Sequence, residues 1–432
     1  MRAKVWLAGW IFGIIASLLM SAQCFGAGFA LWEGSARGNA LGDAVVGRAD
    51  DPSAVFYNPA GITQLPGLQV EAGATGIMTG GTVSSPGGTV NSPLGPVPDP
   101  LLRGSQVVNS DWALVPNMYL TYQASDCIWL GLGVFSPYGL SVRFPSNWFG
   151  ALDSYYSEVQ SVDVNPNIAF KFNDQLSVAA GFQAMEFGLD LQNRYPASLT
   201  PAIDPTTQIK GDTWGFGYNL AAHYKPCNWV AMGVSYRSQI TEGGDLNAYL
   251  RQQSPYVPLN GYSPAHATVT LPDSVDMGVV FYPSDCWSWE FGGTWTRWSD
   301  LQSLVFNLDH PFPGMTSHTI TEVKDWTDSW RFKTGLEYHL TPHVDLRAGY
   351  IFDQEAIPDS HADYVLPSND RHYFCFGGGL HYGNVSFDLS YTYVLIEDRT
   401  VNNSQSLGYI NPTHQTGENA NLIAGDITYR FW

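Results

Sequence analysis

The chain is poor in charge, and poorest in positive charge. Of its 432 residues, 20 are Lys or Arg and 39 are Asp or Glu, so the formal net charge is −19. Charged residues make up 14% of the chain, against about 25% in a typical soluble domain. No run of basic residues occurs, and nucleic-acid binding requires clustered Lys and Arg. Composition therefore excludes nucleic acid as a partner and argues against the two or three soluble domains that the length alone would allow.

Long hydrophobic runs are also missing, except at the N-terminus. Positively charged MRAK precedes the apolar run Val5–Met20, and small Gly26 follows shortly after. This order predicts a signal peptide over 1–26. A membrane anchor is the competing interpretation, but the run is shorter than the roughly 20 residues of a spanning helix. A lipoprotein would use Cys24, whose neighbouring residues fit poorly. Any later membrane insertion must be by strands.

Cysteine is scarce and enzyme motifs are absent. Besides Cys24 there are Cys127, Cys227, Cys286 and Cys375, three of them just after predicted turns. A periplasmic disulfide between two turns stays open, since its connectivity cannot be read from sequence. The ten His do not cluster, no Gly-x-Ser-x-Gly occurs, and two Gly-x-Gly pairs lack the third glycine of a dinucleotide fingerprint. We expect no enzyme, no metal and no cofactor. The Gly-x-Gly pairs, 131/133 and 215/217, fit small lumen-facing positions better.

Aromatic residues and glycine are abundant, and the body of the chain alternates with period two. Aromatics are 14% of the chain and glycines number 44. In 385–395 the apolar residues Val, Phe, Leu, Tyr, Tyr and Leu alternate with polar or small ones, and 230–237 and 344–352 behave alike. A soluble sandwich would show the same alternation. The strand length, the aromatic ends and the signal peptide favour a transmembrane antiparallel β-barrel.

Connections alternate between short and long. Two-residue turns are predicted at, among others, Lys225-Pro226 and Pro283-Ser284, and long loops at Gly80–Asp111 and Glu242–Pro264. Seven long loops imply an all-β barrel of about fourteen strands over 68–432. The prolines of the first loop predict irregular structure there. The chain ends GDITYRFW, an aromatic final strand in which alternation points to Phe431 and leaves Trp432 as one extra residue.

The segment 27–67 differs from the body. It is rich in Gly and Ala, too polar to span a bilayer, and too poor in large apolar residues for a core of its own. A segment of this kind before a run of strands predicts a hatch, a plug inside the barrel. Asp50 and Asp51 could be an acid–base pair, but hydrogen bonds within the hatch or pairing with Arg48 explain them better.

The chain resembles the FadL/TodX-type outer-membrane transporters of long-chain fatty acids and aromatic hydrocarbons. AGFALWEGSARG (27–38) is similar to the family's mature N-terminus, and GRADDPSAVFYNPAGIT (47–63) to its hatch motif. VPNMYL, SPYGL, WGFGYNLA, SYRS, LPDS and WTRWSDLQ follow in the family's order. A single NPA tripeptide would be weak; the ordered set, which spans the mature chain, is strong.

The resemblance implies a fourteen-stranded barrel with an N-terminal hatch, and lateral release through a gap where the third strand kinks. It implies a substrate pocket that touches Ala27, Gly28, Phe29 and Leu31. Asn58, Pro59 and Ala60 would form the gating turn of the hatch, and Gly139 in SPYGL would match the kink.

A fatty-acid carboxylate also calls for a cation. The resemblance suggests Arg194 in LQNRY, with Lys333 and Arg237 as weaker candidates. A lumen or rim charge without a ligand is the alternative for all three.

These observations favour an outer-membrane channel for passive uptake of long-chain fatty acids or related hydrophobic compounds. The alternatives are uptake of small aromatic or alkane hydrocarbons in the same fold, and a structural or adhesive barrel without transport. The expected partners are a hydrophobic small molecule and outer-membrane lipid, and a monomer is the default. The expected location is the outer membrane of a Gram-negative-type bacterium.

Overall fold

The structure is a computed structural model that describes residues 28–92, 95–99, 103–109, 112–195, 204–252, 255, 259–313, 315–403, 406 and 409–431. The predicted signal peptide, Ala27 and Trp432 lie outside these described residues.

The described chain forms a closed antiparallel barrel of fourteen strands, several of them interrupted, and the first and last strands pair to close it. This confirms the predicted fold class and strand number. The strands are β1 (Leu68–Ser85), β2 (Gly104–Asn109 and Ala113–Gln123), β3 (Ile128–Phe135 and Gly139–Arg143), β4 (Tyr156–Lys171), β5 (Leu176–Arg194), β6 (Thr206–Cys227), β7 (Val230–Arg237 and Ile240–Arg251), β8 (Gly261–Leu271 and Ser274–Ser284), β9 (Trp287–Thr296 and Ser303–Leu308), β10 (Thr319–Val323 and Ser329–Thr341), β11 (Val344–Asp353), β12 (Arg371–Tyr382), β13 (Val385–Ile396 and Arg399–Val401) and β14 (Thr413–Arg430).

Alternation along the strands separates an apolar outer face from a polar inner one. On β13, Phe387, Leu389 and Tyr391 are exposed on the outside, whereas Ser390 and Thr392 are buried inside. A soluble sandwich would bury the apolar face instead. The apolar residues of this barrel therefore face lipid, as expected of a membrane barrel.

Short turns join the strands at one end, and two of them lie later than predicted. β6 runs through to Cys227 and β8 to Ser284, so the turns follow these residues rather than occupying 225–226 and 283–284. Both strands change register just before the turn, between Tyr224 and Cys227 and between Phe281 and Ser284. The irregular ladder admits extra strand residues that period-two counting does not foresee.

The first long loop is not irregular throughout, so that prediction was wrong. Gly88–Ser92, Gly95–Asp99 and Ile410–Asn411 form a small sheet at the outer end, in which Pro96 and Pro98 are strand residues. Gly95–Asp99 pairs on one side only, and an edge strand tolerates proline because its outward N–H has no ladder partner to lose. Likewise most of the predicted loop 242–264 is strand, because β7 and β8 extend outward as a paired hairpin.

The segment before β1 lies inside the barrel. It contains α1 (Ala36–Ala40), α2 (Ala54–Tyr57) and a 3₁₀ helix (Pro59–Gln64), and nearly all of its residues are buried. Ser35 caps α1 by accepting a hydrogen bond from the Gly38 N–H at 3.0 Å. The main apolar core is formed by this segment and the inner faces of the strands. No helix among the described residues is long and apolar enough to cross a membrane.

Small residues on the inner wall make room for this segment. A Cβ atom added at Gly131 on β3 would lie 2.9 Å from Val55 Cγ2, and one at Gly133 would lie 3.0 Å from Val55 Cγ1. The prediction that these glycines face the lumen is confirmed. All four cysteines in the described part of the chain are unbridged, with Cys127 and Cys286 exposed and Cys375 buried.

Candidate functional site: the break in β3 and the apolar cavity

The wall of the barrel is broken in β3, and the N-terminal segment fills the break. β3 stops at Phe135 and resumes at Gly139. Across this gap the Leu31 N–H donates to the Pro137 carbonyl at 2.8 Å, and the Gly139 N–H donates to the Phe29 carbonyl at 2.9 Å. Between them Ala30 pairs with Tyr138 as an antiparallel bridge. Residues 29–31 thus replace the missing ladder partner.

The backbone N–H and carbonyl of Tyr138, in the middle of the break, are bonded to the next strand. The Ser161 hydroxyl donates to the Tyr138 carbonyl at 2.6 Å and accepts from the Tyr138 N–H at 2.9 Å. Unpaired backbone groups are not tolerated facing lipid. The break is therefore sealed only while residues 29–31 stay in place. The break ends at Gly139, the residue that the resemblance suggested for the kink.

An apolar cavity lies behind the break. Its volume is about 50 Å³. One lining residue, Phe29, comes from the N-terminal segment, and Lys324 and Asp363 are the only charged ones among the described residues that line it. The apolar lining residues are Phe29, Leu140, Val159, Phe187, Leu189, Leu191, Val269, Leu301, Leu304, Trp326, Val365 and Leu366.

Aromatic rings hold Phe29 at the cavity. Its ring centroid lies 5.1 Å from that of Trp298, edge-on, and 5.9 Å from that of Trp326. Gly28 has a φ of +59°, and a Cβ atom there would lie 2.6 Å from Trp298 Cζ2. Only glycine suits both the left-handed backbone and this close approach. Gly28 and Phe29 are therefore tightly fitted against the wall. Of the described residues that the resemblance suggested for the pocket, Phe29 lines the cavity, and Gly28 and Leu31 do not.

The cation at the cavity is Lys324, which the sequence interpretation did not single out. Its Nζ lies 2.7 Å from Asp363 Oδ2 and 3.0 Å from Glu322 Oε2. The sequence did contain a signal for this residue. In a chain with few lysines, Lys324 stands next to Asp325 and two residues before Trp326. Lys324 and Asp363 come from different loops, so sequence spacing could not bring them together.

The three cations named from the sequence have other partners. Arg194 donates to the carbonyls of Ser146 at 2.6 Å and Asp204 at 2.8 Å, and it does not line the cavity. Lys333 pairs with Asp276 at 2.7 Å. Arg237 donates to the Phe56 carbonyl at 2.9 Å and lies over the Phe56 ring.

The turn at Asn58-Pro59-Ala60 joins the N-terminal segment to the wall. Asn58 is extended, as expected before proline, and its Nδ2 donates to Val46 O at 2.8 Å and to Ala222 O of β6 at 3.2 Å. Its Oδ1 accepts from the Ala60 N–H at 3.2 Å, and the Ala60 carbonyl accepts from Ser177 of β5 at 2.8 Å. Pro59 starts the 3₁₀ helix. The turn is thus fastened to two strands beyond the broken one.

Buried ion pairs fasten the other side of the N-terminal segment to β9 and β10. Glu337 on β10 accepts hydrogen bonds from two arginines of the N-terminal segment, Arg37 and Arg48, each at 3.0 Å. It also accepts one from Arg347 on β11 at 2.6 Å. Asp50 and Asp51 pair with Arg37 rather than with the predicted Arg48. The other pairs across this contact are Arg48–Glu290 at 3.1 Å and Arg331–Asp43 at 2.7 Å.

Among the acids of the N-terminal segment, Glu33 lies nearest to the residues that seal the break. Burial raises the pKa of Glu33 to about 7, although nearby Arg331 opposes the shift. Its carboxylate accepts a hydrogen bond from the Trp32 N–H at 2.9 Å. Glu33 lies two residues beyond Leu31, so its charge bears directly on the segment that seals the break.

The chain is similar to known outer-membrane proteins along nearly its whole length. The sequence model of the family described as outer membrane protein transport protein (OMPP1/FadL/TodX) matches residues 17–431. The long-chain fatty acid transport protein of Escherichia coli O6:H1 is 26% identical over 418 residues, covering 88% of this chain and 89% of that protein. Outer membrane protein P1 of Haemophilus influenzae is 23% identical and covers 74% of this chain and 75% of its own length.

Solved structures share the fold. A FadL homologue of Pseudomonas aeruginosa superposes with a TM-score of 0.78 at 19% identity, covering 94% of this chain and 100% of that one. The toluene transporter TodX of P. putida gives a TM-score of 0.66 at 16% identity, covering 91% and 98%. With a lipid-facing barrel and a family match over residues 17–431, the chain belongs to the OMPP1/FadL/TodX family of outer-membrane transport proteins.

Proposed function

We propose that this protein is a passive outer-membrane channel for long-chain fatty acids or related hydrophobic compounds, released sideways through the break in β3. The observation that carries the proposal is the apolar cavity between Phe29 and Lys324, directly behind a break that residues 29–31 fill. The relatives named long-chain fatty acid transport proteins support this substrate class. No catalysis and no energy coupling are part of the proposal.

The cavity must enlarge to admit a substrate. Its volume is about 50 Å³, whereas ligand pockets usually measure about 300–1,000 Å³. Withdrawal of residues 28–31 removes the Phe29 ring from the lining and frees the β3 gap in the same movement. Cavity enlargement and opening of the wall are thereby one event. Burial of apolar surface, at about 25 cal/mol per Å², supplies the driving force.

Lys324 would bind the carboxylate of a fatty acid. It is already paired with Asp363 and Glu322, so the substrate carboxylate has to replace one of these partners. Exchange of one carboxylate for another preserves the charge-assisted hydrogen bond that a buried ammonium requires. A neutral hydrocarbon needs no such exchange.

We assign the roles as follows. The segment 27–67 is the hatch and 68–432 is the barrel. Ala27, Gly28, Phe29 and Leu31 contact substrate, and the Asn58-Pro59-Ala60 turn anchors the hatch while its N-terminus moves. Gly139 ends the gap, and Arg194 shapes the outer loops through its bonds to carbonyl groups. The channel acts as a monomer in contact with outer-membrane lipid.

Uptake of small hydrocarbons is the second candidate. The two carboxylates around Lys324 leave this cluster with an excess negative charge, which favours an uncharged ligand. The similarity of fold to TodX is compatible with this candidate, although at 16% identity it concerns the fold alone.

Uptake into liposomes carrying the purified protein tests both candidates. Labelled oleate and toluene are compared for the wild type, Asn58→Ala and Lys324→Gln. A fatty-acid channel predicts oleate uptake that falls in both variants. Toluene uptake without oleate uptake supports the second candidate, with no effect of Lys324→Gln. No uptake of either above empty liposomes contradicts both and favours a structural barrel.

A further inference from the structure

Strands β6 and β7 are paired at both ends but not between. Thr206–Lys210 pairs with Arg251–Asn247, and pairing resumes where Asn219 meets Arg237. Within the described part of these strands, 211–218 has no ladder partner on β7. β7 itself is interrupted after Arg237. We call this unpaired stretch, 211–218 with 238–246, the seam.

Few hydrogen bonds replace the ladder in the seam. The Tyr218 carbonyl accepts from the Ser238 N–H, and the Tyr218 N–H donates to the Ser238 hydroxyl, both at 2.9 Å. The Thr213 hydroxyl donates to the Gly243 carbonyl at 3.0 Å. Every second residue of a strand directs its peptide groups to the same neighbour. Those of residues 212, 214 and 216 therefore also face β7, without a ladder partner. Such groups are costly in a membrane wall unless water or a polar ligand can reach them.

The seam adjoins the apolar cavity: its own residues do not line the cavity, but their ladder partners on both sides do. On one side Gly211 and Thr213 pair with Leu189 and Phe187 of β5, which both line the cavity. On the other side Glu242 pairs with Val269 of β8, which also lines it. The unpaired edges therefore lie between two lining strands.

Side chains of β7, and of Ser238 in its interruption, cover the seam from inside, with Leu246 over Gly211, Ser238 over Gly217, and Ile240 and Glu242 over Gly215. The inner face of β6 carries glycine at 211, 215 and 217, so it contributes little bulk there. A Cβ atom at Gly215 would lie 2.5 Å from Ile240 Cγ2 and 2.8 Å from Glu242 Oε1. Ile240 and Glu242 thus rest directly on glycine backbone and could swing away without unpairing strands.

Glu242 also indicates that something polar reaches this place. Its side chain is 1% exposed, and neither carboxylate oxygen has a hydrogen-bonding partner among the described residues. An unpartnered buried carboxyl group is unfavourable. Water or a substrate head group that enters through the seam would satisfy it.

Outside, the β6 side of the seam carries a run of exposed aromatic residues. Trp214, Phe216 and Tyr218 are about half exposed on β6, and Trp and Tyr concentrate where the membrane meets water. Opposite them, Thr241 and Asp245 of β7 are exposed and polar. The seam therefore opens where an amphipathic molecule in the outer leaflet would hold its head group.

We propose that the seam is a second lateral opening, a side entrance through which an apolar chain with a polar head passes from the outer leaflet into the cavity. This inference rests on the proposed uptake function and adds an entry route to the exit at β3. The chain displaces Ile240, and the head group or accompanying water hydrogen-bonds Glu242.

A reversible cross-link across the seam tests this entrance. Gly215→Cys with Ile240→Cys joins β6 to β7, in a background with Cys127, Cys227 and Cys286 replaced by serine. The matched control, Ala222→Cys with Val234→Cys, joins the same strands where they are already paired. We expect oleate uptake from lipid-dispersed substrate to fall about tenfold on oxidation of the seam pair, with recovery on reduction and no change in the control.

Equal uptake in the oxidised and reduced seam variant would overturn the entrance and leave the β3 exit standing. Loss of uptake in the wild type would instead refute the proposed function. Should the seam variant fail to fold, photolabelling decides with the wild type in lipid nanodiscs. A palmitate analogue with a diazirine on its chain should label peptides containing 211–218 and 240–246. Label confined to the cavity and residues 136–139 would overturn the proposal.

Discussion

Replacement of Glu337 by glutamine should loosen the whole hatch. Glu337 is buried and accepts hydrogen bonds from Arg37, Arg48 and Arg347. Hydrogen bonds to charged groups contribute about 1.5–3 kcal/mol each, and two of the three arginines belong to the hatch. The arginines keep other carboxylates: Asp50 and Asp51 for Arg37, Glu290 for Arg48, and Asp345 and Asp388 for Arg347.

Because those partners remain, we expect a loss of about 3 kcal/mol in hatch docking, at the lower end of the 3–5 kcal/mol that accompanies a fully orphaned buried charge. This corresponds to roughly a hundredfold increase in the open population. Hydrogen–deuterium exchange of peptides from 36–51, in nanodiscs, measures it directly. Asp276→Asn is the matched control, because it removes a buried wall carboxylate that pairs with Lys333 and not with the hatch. Exchange in Glu337→Gln that equals the control would refute the reasoning.

Three further predictions concern the N-terminal segment and the cysteines. Burial raises the pKa of Glu33 to about 7 from 4.5, so the folded state binds the extra proton and docking of residues 29–34 weakens as pH rises through about 7; after division by the base-catalysed intrinsic exchange rate, protection of this peptide should fall from pH 5.5 to 8.5, and Glu33→Gln should remove that fall. Gly28→Ala should weaken docking of the N-terminal segment by about 1–3 kcal/mol, because alanine is strained at this φ and meets Trp298. Hydrogen exchange of this segment equal to that of the wild type would contradict the tight fit. A maleimide should label Cys127 and Cys286 without reductant but Cys375 only after denaturation, and protection of the first two would reveal a disulfide.

The barrel could be predicted from the sequence because its signal is local. Period-two alternation identified strands and their apolar sides, since each strand carries the pattern within about ten residues, and the count of long loops gave the number of strands. The errors arose where local rules meet tertiary context. Pro96 and Pro98 sit in a strand because that strand is an edge, and the turn after β6 moved because the ladder changes register near Tyr224.

The site was predictable only in part. The composition of 27–67 predicted the hatch and the family resemblance added the broken third strand, and the structure brings Phe29 and Gly139 together. Lys324 and the Arg37–Glu337 pair could not be foreseen, because their partners lie 39 and 300 residues away in sequence. Side chains that pair across a barrel lumen leave no periodic pattern in the sequence. The β6–β7 seam could not be predicted either, because it is defined by missing backbone pairing between two strands.

The most direct test of the account is to lock residues 29–31 in the β3 break. Ala30 and Tyr138 form an antiparallel bridge, and paired residues of this kind lie about 4.5–5.5 Å apart at Cα, within the range of a disulfide. Ala30→Cys with Tyr138→Cys, lacking the exposed native cysteines, is placed in liposomes, and oleate uptake is measured before and after reduction. The account predicts no uptake above empty liposomes while the bridge is oxidised, and uptake near that of the parent once it is reduced. Undiminished uptake through the oxidised protein would contradict lateral release at β3.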